Sequence, residues 1–304
     1  MKSFRSNGKL LISGEYVVLD GALSLAIPTK YGQSLEIEPH NSPTIIWKSF
    51  DYKSQIWFEN EFHFHKITAL PLKTIKPNTP YKRLLQILVA AKSLNSKFLN
   101  EVTGYKITTK LDFPQHWGLG TSSTLINNIA QWANINPYAL LEKTFGGSGY
   151  DIACAQHNTP ITYTLDNKIP TTHIVNFNPS FKDNLYFVYL NKKQNSRDGI
   201  AHYKATRNES KSMILEINNI TTKMIVSKSL KDFDELIKQH ENIISNITKQ
   251  KTVKALLFSD FNGEMKSLGA WGGDFILVTS KIDPTSYFNK KGFDTVIAYA
   301  DMIL

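Results

Sequence analysis

The chain has 304 residues, enough for one large or two modest domains, each with its own apolar core. No apolar run approaches the length that spans a bilayer, and the early run in "MKSFRSNGKLLISGEY" is broken by Ser13, Gly14 and Glu15, so it is not a signal-peptide core. Lysine and arginine exceed the acids by 35 to 26, but the lysines are scattered. They come with no zinc-ligand spacing or RNA-binding aromatic signature, so a solvated basic surface is expected, without a nucleic-acid or membrane partner.

From the N-terminus, "KLLISGEYVVLDGALSLAI" alternates apolar and polar residues around turn glycines and reads as strands joined by tight turns. "QSLEIEP", "TIIWKSF" and "SQIWFENEFHFHKI" continue in strand-like segments. On such a strand His63 and His65 share a face, as a metal pair or simply a partly exposed strand face, with no obvious third ligand. "TPYKRLLQILVAAKSLN" changes to helical spacing, with Thr79 or Pro80 at its start. "GYKITTKLDF" is a strand, "TLINNIAQWA" a helix and "NPYALLEKTF" a second helix.

Cys154 is the only cysteine, so no internal disulfide can form, and a cytoplasmic location is expected. With no activating motif around it, Cys154 reads as a small buried residue. "LYFVYL" reads as a buried strand, followed by helices over about Asn208 to Val226 and Lys231 to Thr248. "LGAWGGDFILVTS" runs from a glycine loop into a strand, and "FDTVIAYADMIL" closes the chain. This mixture favours α+β, with a boundary near Thr164 that gives domains 1–164 and 165–304.

Three glycine loops stand out. In "PQHWGLGTSS" (Pro114 to Ser123), glycines precede a helix whose first N–H groups are a natural seat for phosphate. Gly118 and Gly120 let a backbone approach an anion without an intervening Cβ, and Thr121, Ser122 and Ser123 can cap the helix, bind phosphate or ligate magnesium. A helix cap beside a glycine turn explains this stretch equally well. "GGSGYDIA" places Asp151 just beyond a glycine turn, either as a helix cap or as a carboxylate against a substrate hydroxyl. "KSLGAWGGDF" (Lys266 to Phe275) is the third loop.

"GKLLISGEYVVLDGALSLA", "PQHWGLGTSS" and "KSLGAWGGD" resemble, in order, the three motifs of the GHMP small-molecule kinases. The resemblance implies a two-domain α+β fold, with an N-terminal domain like ribosomal protein S5 and a ferredoxin-like C-terminal domain. It also implies ATP in a cleft, its phosphates on a loop of Pro114, Gly118, Leu119, Gly120, Thr121, Ser122 and Ser123, with Gly269, Gly272 and Gly273 completing the nucleotide site. Aligning the family's "GLGSS" on "GLGTS" makes Ser122 the magnesium-binding serine, and Glu142 stands near the place of the family's magnesium carboxylate.

By the same resemblance Asp151 is the catalytic aspartate and Lys9 the motif-one lysine, while Tyr16, Ser148, Lys193, Ser196 and Arg197 are expected to bind the acceptor; Glu15 is expected there too, or as a structural residue that helps to position Lys9. "GEY" and the "GGD" ending are closer to phosphomevalonate kinases than to mevalonate kinases. Two departures bear on the loops: Trp271 replaces a glycine of the third motif, and Ser123 and Thr124 replace small apolar residues after the second.

The expected function is therefore ATP- and Mg2+-dependent phosphorylation of a small acceptor, phosphomevalonate or mevalonate in isoprenoid precursor synthesis. The alternatives are another small hydroxylated metabolite, or a non-catalytic nucleotide- or RNA-binding protein on the same fold. "NKKQNSRDG" (Asn191 to Gly199) reads either as a phosphate-binding segment or as a solvated basic loop.

Overall fold

A computed structural model describes residues 1–100, 103–206 and 211–304. The chain divides into two compact units interleaved in sequence. One comprises Met1–Gly8, Tyr31–Gln115 and Leu119–Gln156; the other comprises Lys9–Lys30, His116–Gly118 and His157–Leu304. Strands β1 (Lys2–Leu11) and β2 (Ser24–His40) each contribute residues to both.

In the first unit, the later part of β2 joins β3 (Thr44–Phe50), β4 (Ile56–His63) and β5 (Gly104–Leu111) in the strand order β4-β3-β5-β2. All pairs are antiparallel except β3 with β5, where Trp47 lies opposite Ile107. Period-two alternation turns Leu35, Ile37, Ile45, Trp47 and Ile107 into one core, which the helices close with Ile87, Leu88, Ile126, Ile129, Leu140 and Ile152.

The helices are α1 (Phe64–Ala69), α2 (Pro80–Leu94), α3 (Thr121–Ala133), α4 (Pro137–Thr144) and α5 (Tyr150–Gln156). Thr79 caps α2 by accepting the Lys82 N–H at 3.2 Å, with Pro80 at the first helical position. Asn136 caps α4 in the same way.

Two segments depart from the expected strands. The strand carrying the histidines stops at His63, because Phe64 and Ile67 bury their side chains at helical spacing in α1. The two imidazole rings are 5.4 Å apart, but one lies on a strand and the other on a helix. Among the described residues no three His, Cys, Asp or Glu side chains gather to hold a metal. Val17–Asp20 form a 3₁₀ turn rather than a strand, because left-handed Gly14 and Tyr16 interrupt extended backbone just before them.

In the second unit the start of β2 pairs with β6 (Ile161–Asp166), which forms a hairpin with β7 (Ile169–Ile174). Both turn residues, Asn167 and Lys168, have positive φ, the twist a two-residue hairpin favours. Strand β8 (Leu185–Tyr189) is followed by helices α6 (Ser196–Thr206), α7 (Lys211–Val226), α8 (Leu230–Thr248) and α9 (Val253–Leu257). The expected start of α7 at Asn208 lies outside the described residues.

Strands β9 (Met265–Ser267) and β10 (Phe275–Thr279), helix α10 (Thr285–Lys290), strand β11 (Val296–Ala298) and helix α11 (Tyr299–Met302) complete the chain. The sheet order is β11-β8-β10-β9, antiparallel throughout. The architecture is mixed α+β. No helix among the described residues is long and apolar enough to cross a membrane.

Candidate active site

Helix α3 begins directly after the glycine loop that ends at Gly120. Gly120 is its N-cap, in the left-handed region at φ +95°, and no side chain caps the helix. The first-turn N–H groups are therefore left for water or a ligand. Ser122 is exposed, whereas Ser123 is buried and donates its hydroxyl to the Gly120 carbonyl at 2.8 Å. The Thr121 hydroxyl oxygen is buried with no hydrogen-bond partner, an orphan that a ligand at this turn would satisfy.

The inner face of α3 fixes its position. Thr124 bonds Gln33 Oε1 at 2.8 Å, Asn128 donates to the Gln33 carbonyl at 2.9 Å, and Ser6 donates to Asn128 Oδ1 at 2.7 Å. Loss of one partner in such a buried network costs about 1–3 kcal/mol. Ser123 and Thr124, the two departures from small apolar residues, thus serve the helix. Pro114 and Leu119 are buried beside the loop.

Helix α5 packs on α3, so Asp151 stands in the first turn of a helix adjacent to the one the loop begins. Asp151 is half-buried, and its Oδ1 accepts the Ile152 N–H at 3.1 Å. The preceding loop holds Gly146, Gly147 and Gly149 at positive φ, with half-buried Ser148 among them. Glu142 is exposed on α4, which also packs on α3.

In the second unit, Lys9 donates from Nζ to the Gly118 carbonyl at 2.9 Å. A Cβ at Gly118 would come within 2.4 Å of Asp274 Oδ2, so this glycine makes room for a carboxylate of the protein itself. Asp274 Oδ1 accepts the Gln194 N–H at 3.1 Å, and the Asp274 N–H donates to the Lys192 carbonyl at 2.7 Å. Burial raises the Asp274 pKa; Lys9, the Gln194 N–H and Lys193 oppose that rise. Around the same point, a Cβ at Gly269 would lie 4.0 Å from Lys9 Nζ, and one at Gly273 would strike the Lys192 carbonyl at 2.5 Å.

Trp271 does not fill the third loop. Its side chain is buried with Tyr16, Val17, Tyr203 and Ile217, while its N–H donates to the Tyr16 hydroxyl at 2.9 Å. Tyr16 stacks on Tyr203 of α6, and a Cβ at Gly199 would meet its hydroxyl at 2.8 Å. Tyr16 thereby joins the Gly14–Tyr16 turn, the third loop and the helix that Ser196 and Arg197 begin. Both of those residues are exposed, and Asn195 Oδ1 accepts the Arg197 N–H.

Glu15 is sealed from solvent. Lys266, also fully buried, donates to Glu15 Oε1 at 2.5 Å, with Glu241 Oε1 3.8 Å from the same ammonium. Burial raises Glu15 despite Lys266, and pushes Glu241 up to about 8. Buried His240 is held well below its ordinary pKa, first by desolvation and then by Lys266. Its Nε2 accepts the Gly14 N–H at 2.9 Å and so carries no proton, which means that the 3.3 Å approach of Glu15 Oε2 is not an ion pair. This cluster braces the turn that carries Tyr16.

In the first unit Pro114 and Leu119–Ser123 form the loop that opens α3, while Glu142, Ser148 and Asp151 stand on or just before helices that pack on it. The second gathers Lys9, Gly118, Lys193, Gly269, Gly272 and Gly273 around Asp274, with Glu15 and Tyr16 behind the turn. Asp274 is the residue sequence reasoning passed over, although it ends the quoted third motif.

No family model and no curated protein matches the chain. Solved structures do. Mevalonate kinase of Methanococcus jannaschii is 15% identical with a TM-score of 0.73, covering 97% of this chain and 96% of that one. Phosphomevalonate kinase of Streptococcus pneumoniae, in complex with phosphomevalonate and AMPPNP, is 15% identical with a TM-score of 0.69, covering 100% and 98%. Galactokinase of Lactococcus lactis, complexed with galactose, is 14% identical with a TM-score of 0.66, covering 95% and 88%.

Proposed function

Because the chain carries the fold of the GHMP kinases, we propose that it transfers a phosphoryl group from ATP to a hydroxyl of a small acceptor, phosphomevalonate or mevalonate in isoprenoid precursor synthesis. The observation that carries the reading is the uncapped start of α3, with the orphaned Thr121 hydroxyl, on the helix against which the Asp151 helix packs. Such a helix start suits phosphate, so the residues present fit the nucleotide. A magnesium ion bound with the nucleotide would be held by the Ser122 hydroxyl, with the Glu142 carboxylate as a second protein oxygen, and would offset the phosphates' negative charge.

The bound nucleotide and its metal would supply the transferable phosphoryl group. Asp151 orients the acceptor hydroxyl and takes its proton as the oxygen bonds to the terminal phosphorus, whose bond to the leaving ADP breaks. Lys9, fixed on the Gly118 carbonyl, sets a positive charge against the charge that develops during transfer. Phosphoryl transfer depends chiefly on positioning and electrostatics, so few groups are required. Ser148, Tyr16, Ser196 and the cations Lys193 and Arg197 are assigned to the acceptor, with Glu15 acting from behind through Tyr16.

Gly120→Val tests the nucleotide assignment. A β-branched residue resists φ +95°, and relief of that strain turns the first-turn N–H groups away from a ligand. ATP affinity should fall by about tenfold or more in a variant that remains folded. Unchanged affinity by isothermal titration would remove the phosphate role.

The acceptor is tested at the other end. If it already bears a phosphate, Lys193→Ala with Arg197→Ala should raise its KM, each lost charge-assisted contact being worth about 1.5–3 kcal/mol. Mevalonate, which has no phosphate to lose, should respond little, and ATP affinity should stay nearly constant. An unmoved KM for phosphomevalonate would return these cations to a solvated loop.

A further inference from the structure

Helix α6, which opens with Ser196 and Arg197, buries a single side chain. Of its 11 residues only Tyr203 is buried. The Tyr203 ring stacks on Tyr16, with centroids 5.5 Å apart and planes at 17°, and its hydroxyl donates to Asp20 Oδ2. Asp20 ends the 3₁₀ turn that Tyr16 precedes, so one side chain of α6 grips both ends of that turn. Beside it, His202 Nε2 lies 2.6 Å from the Thr248 carbonyl at the end of α8.

One turn earlier, Gly199 meets the same tyrosine. A Cβ there would stand 2.8 Å from the Tyr16 hydroxyl and 3.2 Å from its Cε1. Glycine within a helix is unfavourable relative to alanine, and here the missing Cβ is what lets the helix lie against the phenol. Ser196, Gly199 and Tyr203 fall at i, i+3 and i+7, on one face of α6. Tyr203 covers the Tyr16 ring and Gly199 its hydroxyl, so Ser196 comes next along that face, with Arg197 beside it. The same hydroxyl accepts the Trp271 N–H at 2.9 Å, which ties this seat to the third loop.

We propose that Tyr203 is a positioning residue for the acceptor: its stack on Tyr16 and its bond to Asp20 set the depth at which α6 lies, and with it the places of Ser196 and Arg197. This rests on the kinase reading above, which assigns those two residues to the acceptor. Helices in proteins are held chiefly by the apolar face they bury, so a helix with one buried side chain takes its position from that anchor. Tyr16 then serves the acceptor through the seat that it offers α6.

The test uses the full chain carrying Tyr203→Phe, which keeps the stacked ring and removes only the hydroxyl that bonds Asp20. Amide exchange over residues 196–206, read by mass spectrometry, should quicken by about tenfold, the scale of one lost hydrogen bond to a charged group. Exchange in α2 should stay as in the wild type, which shows that the fold is intact. The acceptor KM should rise by about threefold to tenfold, while kcat at saturation and ATP affinity hold.

Gly199→Ala separates a seated helix from an unseated one by sign. Alanine favours helix over glycine, so an unseated α6 would exchange more slowly. Against Tyr16 the new Cβ has no room, and exchange should quicken instead. Adding Tyr16→Phe removes the hydroxyl that it strikes and should return exchange toward that of Tyr16→Phe alone.

Slower exchange in Gly199→Ala, or unmoved exchange in Tyr203→Phe, would overturn the seat and leave the kinase reading intact. Quicker exchange with an unmoved acceptor KM would overturn the positioning role. No turnover by the wild-type protein on any acceptor would overturn the kinase reading and the acceptor role together, and the exchange rates tell that failure from a failure of the seat.

Discussion

Asp151→Asn is expected to retain ATP affinity and to lower turnover by about 10²–10⁴, the range for loss of a positioned general base. The substitution is nearly isosteric. Asp151 sits half-buried in the first turn of α5, and its Oδ1 accepts the Ile152 N–H at 3.1 Å, a bond that the asparagine carbonyl can also accept. Folding should therefore survive, and what disappears is the capacity to take a proton from the acceptor hydroxyl. Isothermal titration with ATP, paired with single-turnover kinetics on the true acceptor, separates binding from chemistry. Unchanged turnover would remove Asp151 from the mechanism.

The largest effect on stability is expected at Lys266→Met. Lys266 is wholly buried; its ammonium donates to Glu15 at 2.5 Å and to the Ser267 carbonyl at 3.0 Å. Removing one partner of a buried pair strands the other, at a cost of about 3–5 kcal/mol. Lys266 is also the principal group opposing the burial-driven rise of the Glu15 and Glu241 pKa values.

The sign of the pH dependence follows. Glu241 titrates near 8 when folded, against 4.5 ordinarily, so between those values the folded chain holds a proton that the unfolded chain has released. Its stabilising contribution is full below 4.5 and is lost as pH rises toward 8. Without Lys266 both folded values climb further and the loss extends to higher pH. Urea unfolding should show a larger deficit for the variant at about pH 8 than at about pH 5. A small deficit that is equal at both would contradict the buried-cluster reading.

The parts of the candidate site legible in the sequence are those in which glycine and a charged or hydroxylated residue stand side by side. The "GLGTSS" loop, the Asp151 turn and the third loop are local, and local backbone chemistry is readable. The contacts of Asp274 are not, because they need a left-handed residue, a remote glycine at position 118 and the backbone of Lys192 and Gln194. Nor could Glu15 announce its partners: Lys266 lies 251 residues away in the chain. Trp271 replaces a glycine of the third motif, yet its side chain is buried beside Tyr16 and Tyr203, a direction that one letter among glycines does not carry. The "FHFHK" alternation suited a strand, but burial of Phe64 and Ile67 made its second half a helix. Most helices and strands were legible because their apolar periods are long enough to be unambiguous.

The most direct test of the central claim is ADP release from ATP with magnesium, measured on the full chain across mevalonate, phosphomevalonate, diphosphomevalonate, homoserine and galactose. The account predicts acceptor-dependent turnover, strongest with phosphomevalonate or mevalonate and suppressed by Asp151→Asn. No acceptor-dependent ADP release from any of the five, together with binding to RNA that weakens steeply with salt, would contradict it.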